Sequence, residues 1–366
     1  MEHDKKSFVL AEKETDHTFT KSLRPETKTI QIAAIGDLLI HDRVYNTAKT
    51  EAGYNFLPMF ENVQKYLKEP AITIANQETI TGGTDIGLSS YPRFNSPFEL
   101  AANLQEIGVD LVTMANNHTL DRGEIAINNS IQYYEKIGME YTGSFKNKND
   151  QERIRVIETE EQISVAFLSY TYGTNGIAVP EGKDYLVNLI DRNQIKKDIE
   201  IAQKKADVTV VSYHFGEEYE RYPNQTQKQL AQFAADLGVD VVIGHHPHVL
   251  QPMEWVEGEN GDRTLVAYSL GNFLSGQDKL YRRIGGIFQF AVEKEIHQGK
   301  ETIQVHSPSF LPTFVDYDLE DGRMTNFSIM PLSEVTDKQL PDSDEHFIEI
   351  DNHMKQWLPE LEIIKK

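Results

Sequence analysis

Three imidazoles crowd into five residues at Gly244-His245-His246-Pro247-His248, directly after the apolar run Val239, Val241, Val242, Ile243. Neutral imidazole is the commonest metal ligand among side chains. The end of a buried strand holds its residues rigidly and Pro247 limits the turn, so His246 and His248 can point the same way with little entropy left to lose. A single His-x-His is weak evidence, because solvated loop histidines are common. Here polar groups close further apolar runs upstream: Asp37, Glu78, Asn117 with His118, and His214. With His246 and His248 they make a mixed oxygen and nitrogen set large enough for two divalent ions, and a carboxylate between two ions can bridge them. Paired ions about 3.5–4 Å apart polarise a phosphoryl or acyl oxygen and supply hydroxide at neutral pH. Six of the twelve histidines (His41, His118, His214, His245, His246, His248) lie in these segments, which scattered surface histidines rarely do.

The elements that position these groups alternate in type. Strands are predicted over Ile30 to Ile35, Ala71 to Ala75, Val109 to Met114, Val165 to Tyr170, Val208 to Tyr213, Val239 to Ile243 and Leu265 to Ser269. Helical patterns fill Phe98 to Ile107, Glu124 to Ile137, Asp191 to Lys205 and Gln225 to Leu237, each closed by Gly or a polar turn. This alternation implies an α/β fold, a sheet flanked by helices, in which ligands sit beyond the carboxyl ends of the strands. Residues 79–97 read as a long active-site loop, since Gly82, Gly83, Gly87, Pro92 and Pro97 prevent regular structure. Residues 284–316 read as further strands and 317–366 as a looser tail with a terminal helix near His346 to Leu358.

Composition narrows the classes. At 366 residues, with 39% hydrophobic and 10% aromatic residues, the chain can bury a substantial core and reads as one large domain. The net charge of −21 sets up a field that repels nucleic acid, although plain solubility is the commoner reason for such a balance. No cysteine is present, so disulfides, thiolate ligands and a cysteine nucleophile are excluded, and metal must bind through N and O. Residues 1–28 are polar and of mixed charge, without the apolar core of a signal peptide, and no run reaches membrane-spanning length.

Taken one at a time, several of these residues have plainer readings. Asp37 can cap the segment after it, Asn116 can be a turn residue, and His118 and His214 can be satisfied core histidines. His41 is ambiguous. Gly271-Asn272-Phe273 suits a supporting turn, and Arg282 with Arg283 is a candidate basic patch.

The conjunction is more specific. Gly36-Asp37, Asn76-x-Glu78, Ala115-Asn116-Asn117-His118-x-x-Asp121-x-Gly123, Tyr213-His214-x-Gly216-x-Glu218-Tyr219, Gly244-His245-His246-Pro247-His248 and Ser269-Leu270-Gly271-Asn272-Phe273 occur in this order. The set closely resembles the bacterial capsule-synthesis CapA/PgsA family, associated with poly-γ-glutamate. That resemblance implies a calcineurin-like metallophosphoesterase fold, two packed mixed β-sheets flanked by helices, over residues 29–330. A flexible segment, 1–28, would precede it and a tail, 331–366, would follow.

It further implies one or two divalent ions, Mn, Zn or Fe, with Asp37 and His248 on one, Glu78 bridging, and Asn117, His214 and His246 on the second. His118 would be the general acid and Asp121 its orienting partner. Arg93, Glu218, Tyr219 and His245 are candidates for substrate contact. The chain departs from the phosphoesterase pattern at Leu39, where Asp-x-His is usual, and at Asn76-Gln77-Glu78, where Gly-Asp-x-x-Asp is usual. These departures point to one ion being weakly held or absent.

The implied function is capsule polymer biosynthesis with a phosphoesterase-type hydrolase site, at the outer face of the bacterial membrane, beside membrane-bound synthase components. The chain would then be a soluble ectodomain lacking its anchor, with an anionic polymer as partner. Two alternatives stay open: a non-catalytic factor that handles or exports the polymer, and a metal-dependent amidohydrolase acting on γ-glutamyl or peptidoglycan amides.

Overall fold

In the computed structural model, which describes residues 25–365, the first strand decides how the chain is layered. Along β1 (Glu26–Leu39), Ile30, Ile32 and Ala34 join one apolar cluster and Ala33 and Ile35 another, and all five are buried. This is the two-residue period of a strand, and a strand apolar on both faces has to be covered on both. Two sheets packed face to face, with helices outside each, meet that requirement.

The strands that follow are β2 (Ile72–Asn76), β3 (Leu111–Thr113), β4 (Glu140–Thr142), β5 (Arg155–Glu158), β6 (Ser164–Thr171), β7 (Val208–His214) and β8 (Val241–His245). After them come β9 (Leu250–Glu257), β10 (Arg263–Leu270), β11 (Asn272–Ser275), β12 (Ile284–His297), β13 (Lys300–Glu320), β14 (Arg323–Pro331) and β15 (Glu362–Ile363). One sheet runs β14-β13-β12-β1-β2-β3-β4, with β11 beside β1 and β15 beside β13; the other runs β9-β10-β8-β7-β6-β5. Both are mixed. β1 to β4 are parallel neighbours, as are β6, β7, β8 and β10, while β12 to β14, β5 and β9 pair antiparallel.

Between the sheets, Ile32, Ile74 and Leu111 share a cluster with Phe167, Val210 and Ile243. Helices α1 (Glu99–Glu106) and α2 (Gly123–Ile137) cover the outer face of the first sheet through Leu100, Leu104, Ile127 and Ile131. Helices α3 (Arg192–Ala202) and α4 (Gln225–Asp236) cover the second through Ile195, Ile199, Leu230 and Ala234. The architecture is the expected α/β one, two packed mixed sheets flanked by helices.

Several boundaries differ from the sequence reading. β1 does not end at Gly36-Asp37: its register shifts there, and Leu38 and Leu39 go on to pair with β11. The region from 317 is no loose tail up to Pro331, since β13 continues to Glu320 and β14 pairs back along it. The terminal helix, α5, spans Ser343–Lys355. Of the segment 1–28 expected to be flexible, residues 1–24 lie outside the described residues, whereas Glu26, Thr27 and Lys28 pair with β12. Among the described residues no helix is long and apolar enough to cross a membrane.

Candidate metal centre

Strand register brings the polar residues together. Asp37 pairs with Asn76 and Asn76 with Thr113 in the first sheet; Thr171 pairs with His214 and His214 with His245 in the second. The backbones approach too closely for side chains at two points. A Cβ on Gly36 would stand 2.1 Å from the Gly271 carbonyl oxygen, and one on Gly244 would stand 2.0 Å from that of Tyr268. Glycine is therefore required at both, and the Asp37 N–H donates to Gly271 O at 2.8 Å.

At the centre, ligand atoms of Glu78, His246 and His248 lie within 4.8 Å of one another. Glu78 is fully buried, and neither carboxylate oxygen has a hydrogen-bond partner; the buried Nδ1 of His246 has none either. Leaving such groups unpaired in the interior is costly, and their convergence fits a cation-holding set of one carboxylate and two imidazoles. Oε1 of Glu78 is also 3.6 Å from His248 Nε2 and 3.5 Å from His214 Nε2, which in turn lies 2.9 Å from Asn117 Oδ1. Glu78 thus neighbours His246, His248 and His214, and His214 in turn neighbours Asn117. His246 and His248 both have positive φ, +99° and +58°. Side chains other than glycine adopt that region at a cost, and the turn around Pro247 holds them there.

Asp37 lies against His248, the residue with which the resemblance has it share an ion. Its Oδ1 accepts from Asn76 Nδ2 at 2.8 Å, and its Oδ2 faces the His246 N–H at 3.3 Å and His248 Nδ1 at 3.1 Å. Asp37 thus contacts the Nδ1 side of His248, while Nε2 of the same ring lies 3.6 Å from Glu78 Oε1. His245 Nδ1 lies 3.3 Å from Asp37 Oδ1, without the geometry of a hydrogen bond. His245, a candidate for substrate contact, is 2% exposed, like the residues of the centre itself, and is turned to Asp37.

Charge follows this geometry. Burial opposes ionisation of Asp37, but His245 and His248 outweigh it and hold the carboxyl well below the usual range. Burial pushes Glu78 well above its usual value. Burial also disfavours imidazolium at His248, yet the Glu78 charge and the Asp37 contact carry it up to about 9. Glu78 and His248 act as one unit, and that unit keeps a proton at neutral pH. Burial pushes His246 down to about 4 and His214 well below its usual value, so both are neutral and able to ligate.

His118 sits at the edge of this group with only its Nδ1 committed, 2.7 Å from Asp121 Oδ2. The same Asp121 oxygen accepts from the Phe94 N–H at 2.7 Å, and the Phe94 ring meets the His118 ring edge-on at 4.8 Å. The loop 79–97 thereby fixes the imidazole, and Arg122 in turn ties the loop through Gly87 O and Ser89 Oγ. His41 takes another path: its Nδ1 lies 3.2 Å from the Gly276 N–H and its ring packs on Phe94. It stands outside the Glu78 group, and Leu39 is buried.

Residues 31–277 match the family model described as bacterial capsule synthesis protein PGA_cap. The chain belongs to this family. Among similar proteins, the PGA biosynthesis protein CapA of Bacillus subtilis (strain 168) is 29% identical over 198 residues, 52% of this chain and 49% of its own length. The capsule biosynthesis protein CapA of Bacillus anthracis is 28% identical over 262 residues, 69% of this chain and 61% of its own. The chain thus spans about half to three-fifths of the curated relatives it matches. A candidate 5′-nucleotidase from Staphylococcus aureus superposes with a TM-score of 0.45 at 15% identity, over 88% of this chain and 58% of its own.

Around the centre of this PGA_cap chain lie residues that the sequence did not place among the ligand or substrate candidates. Asn76 links Asp37 to His214, approaching His214 Nδ1 at 3.4 Å. Asn272 Oδ1 lies 3.0 Å from His248 Nδ1. Asn175 joins Asn117 (3.3 Å) to His118 (3.5 Å). Tyr172 covers His246, ring to ring at 4.7 Å, and with His246 lines a cleft of about 330 Å³. Of the remaining candidates for substrate contact, Arg93 is exposed beside Phe94 and Glu218 is exposed on the loop after β7. The Tyr219 ring lies 6.2 Å from that of His248. Asn76 was legible as part of a motif; Tyr172 and Asn175 carry no sequence signal, because only the packing of the two sheets brings them here.

Proposed function

We propose that this protein is a metal-dependent hydrolase of phosphoesterase type that serves capsule polymer biosynthesis. The observation that carries this reading is the buried Glu78 carboxylate, unpaired at both oxygens and facing His246 and His248. Those three residues would hold a divalent ion, Mn, Zn or Fe, with His214 and Asn117 as donors for a second. When bound, such an ion polarises a substrate oxygen and makes water acidic at neutral pH. The chain's own residues do the rest. Asp37 and Asn272 orient His248, Asn76 braces His214, and Asp121 holds His118 so that its Nε2 can give a proton to the leaving oxygen. The calcineurin-like assignment, the outer face of the membrane as location, and poly-γ-glutamate with its synthase components as partners belong to this reading, supported by family membership.

The test is hydrolysis of bis(4-nitrophenyl) phosphate and of γ-glutamyl-4-nitroanilide by manganese-loaded protein, each with and without EDTA. Chelator-sensitive release from the phosphodiester supports the proposal. Release from the anilide alone would make the protein an amidohydrolase, and release from neither, with metal bound, would favour a polymer-handling factor.

A further inference from the structure

Next to the His246/His248 turn stands a cation whose partner is an aromatic ring. Three arginines lie close in space or sequence. Arg221 pairs with Glu349 at 2.7 Å and Arg283 with Asp316 at 3.5 Å, but Arg282 forms no salt bridge among the described residues. Its guanidinium instead lies over the Tyr219 ring, 3.3 Å from the centroid, and the Tyr219 ring neighbours that of His248.

Two further features show a built arrangement. Tyr219 holds a positive φ of +71°, and its N–H donates to Pro247 O at 2.7 Å, which ties the ring to the turn that carries His246 and His248. Gln277 Nε2 donates to the Tyr219 hydroxyl at 3.4 Å. From the other side, Asn272 donates through Nδ2 to the Arg282 carbonyl oxygen at 2.8 Å while its Oδ1 faces His248. Both the backbone and the side chain of Arg282 are therefore referenced to the same histidine. A guanidinium stacked on an aromatic face is pre-ordered and keeps its in-plane N–H donors available, the geometry that receives a carboxylate or phosphate with two parallel hydrogen bonds. In a chain of net charge −21, an arginine without a salt bridge among the described residues is also a local exception to the repulsion of anions, although Glu218 lies next to the Tyr219 on which it stacks.

We propose that Arg282, pressed on Tyr219 beside the centre, is an anion receptor, and that the substrate carries a second anionic group, carboxylate or phosphate, for it to hold. This rests on the hydrolase reading, because the first anionic or polarised group is the one that meets Glu78, His246 and His248. Arg283, turned to Asp316, Phe314 and Tyr317, takes no part.

The experiment measures binding of tri-γ-glutamate, its methyl ester and inorganic phosphate to manganese-loaded wild type, Arg282→Gln, Arg282→Lys and Tyr219→Ala by calorimetry. Arg282→Gln should weaken one or both anions by about tenfold or more and flatten the salt dependence of binding, with the ester unaffected. Arg282→Lys should restore only part, since it lacks the fork. Loss for the peptide alone identifies a carboxylate, and loss for phosphate alone a phosphoryl group. Manganese uptake, measured in parallel, should be equal in all four proteins and reports their folding. Anion affinities unchanged in Arg282→Gln, or absent in wild type, would overturn the receptor. Failure of wild type to take manganese would remove the hydrolase reading and is read separately.

Discussion

Asp37 and His248, 211 residues apart in the chain, meet at 3.1 Å through a carboxylate oxygen and Nδ1. A carboxylate behind a ligating imidazole fixes which nitrogen faces the ion, and loss of such a partner typically lowers metal affinity about 10–100-fold. Asp37→Asn should show that loss in a manganese titration, with circular dichroism unchanged. Wild-type affinity in this variant would mean that Asp37 does not orient His248.

Ion binding should also release a proton. Glu78 and His248 keep one between them at neutral pH, and an incoming ion must displace it. Because His248 is pushed up to about 9, the competition is present at pH 7 and fades as pH approaches that value, so affinity should rise from pH 7 to 9. Calorimetry at pH 7 in phosphate-free buffers of different ionisation enthalpy should give different apparent heats. Equal heats would contradict a proton held at this pair.

His118 should matter to turnover and not to metal. Positioned acid–base groups contribute typically about 10²–10⁴-fold, so His118→Ala should lower kcat for the phosphodiester by that order while manganese affinity stays the same. Asp121→Asn, which keeps an oxygen near Nδ1, should cost less. A His118→Ala enzyme with full kcat would assign the proton to another group.

Away from the site, Arg155 and Asp150 form a nearly dry pair at 2.6 Å, with the guanidinium over the Tyr141 and Phe145 rings. Removing one member of such a pair strands the other, and Asp150→Ala should cost about 3–5 kcal/mol in urea unfolding. Burial raises the Asp150 pKa, but the Lys146 N–H and Arg155 prevail and it is lowered. A depressed carboxyl contributes stability that is present above its unfolded pKa and lost as pH falls through the folded one. The acid limb of the stability curve below about pH 4 should therefore be shallower in Asp150→Asn. An unchanged limb would show that the pair does not govern acid unfolding.

The layered fold was legible because its central strands are short runs rich in β-branched and aromatic residues, such as Val208 to Tyr213, and its helices end in clear stops such as Gly138. What stayed hidden has specific causes. β9 contains Pro252, which argues against a strand, and is tolerated because β9 is an edge. Gly271 reads as a turn and is one, at φ +63°, but it turns the chain from β10 in one sheet into β11 in the other. Strand ends named the polar residues correctly as neighbours, since register gathers them. Which of them touch one another depends on packing, as the contact of His245 with Asp37 shows. Arg282 had a sequence signal only as one of a charged pair, and its distinction from Arg283 is wholly tertiary.

The most direct measurement is the metal content of the purified protein, followed by manganese and zinc titration of chelator-treated wild type and His246→Ala. Wild type should hold at least one equivalent tightly and His246→Ala should lose it, with both proteins folded. A folded wild-type protein that takes up no divalent ion, or a His246→Ala protein that binds it equally well, would contradict a metal centre built on Glu78, His246 and His248.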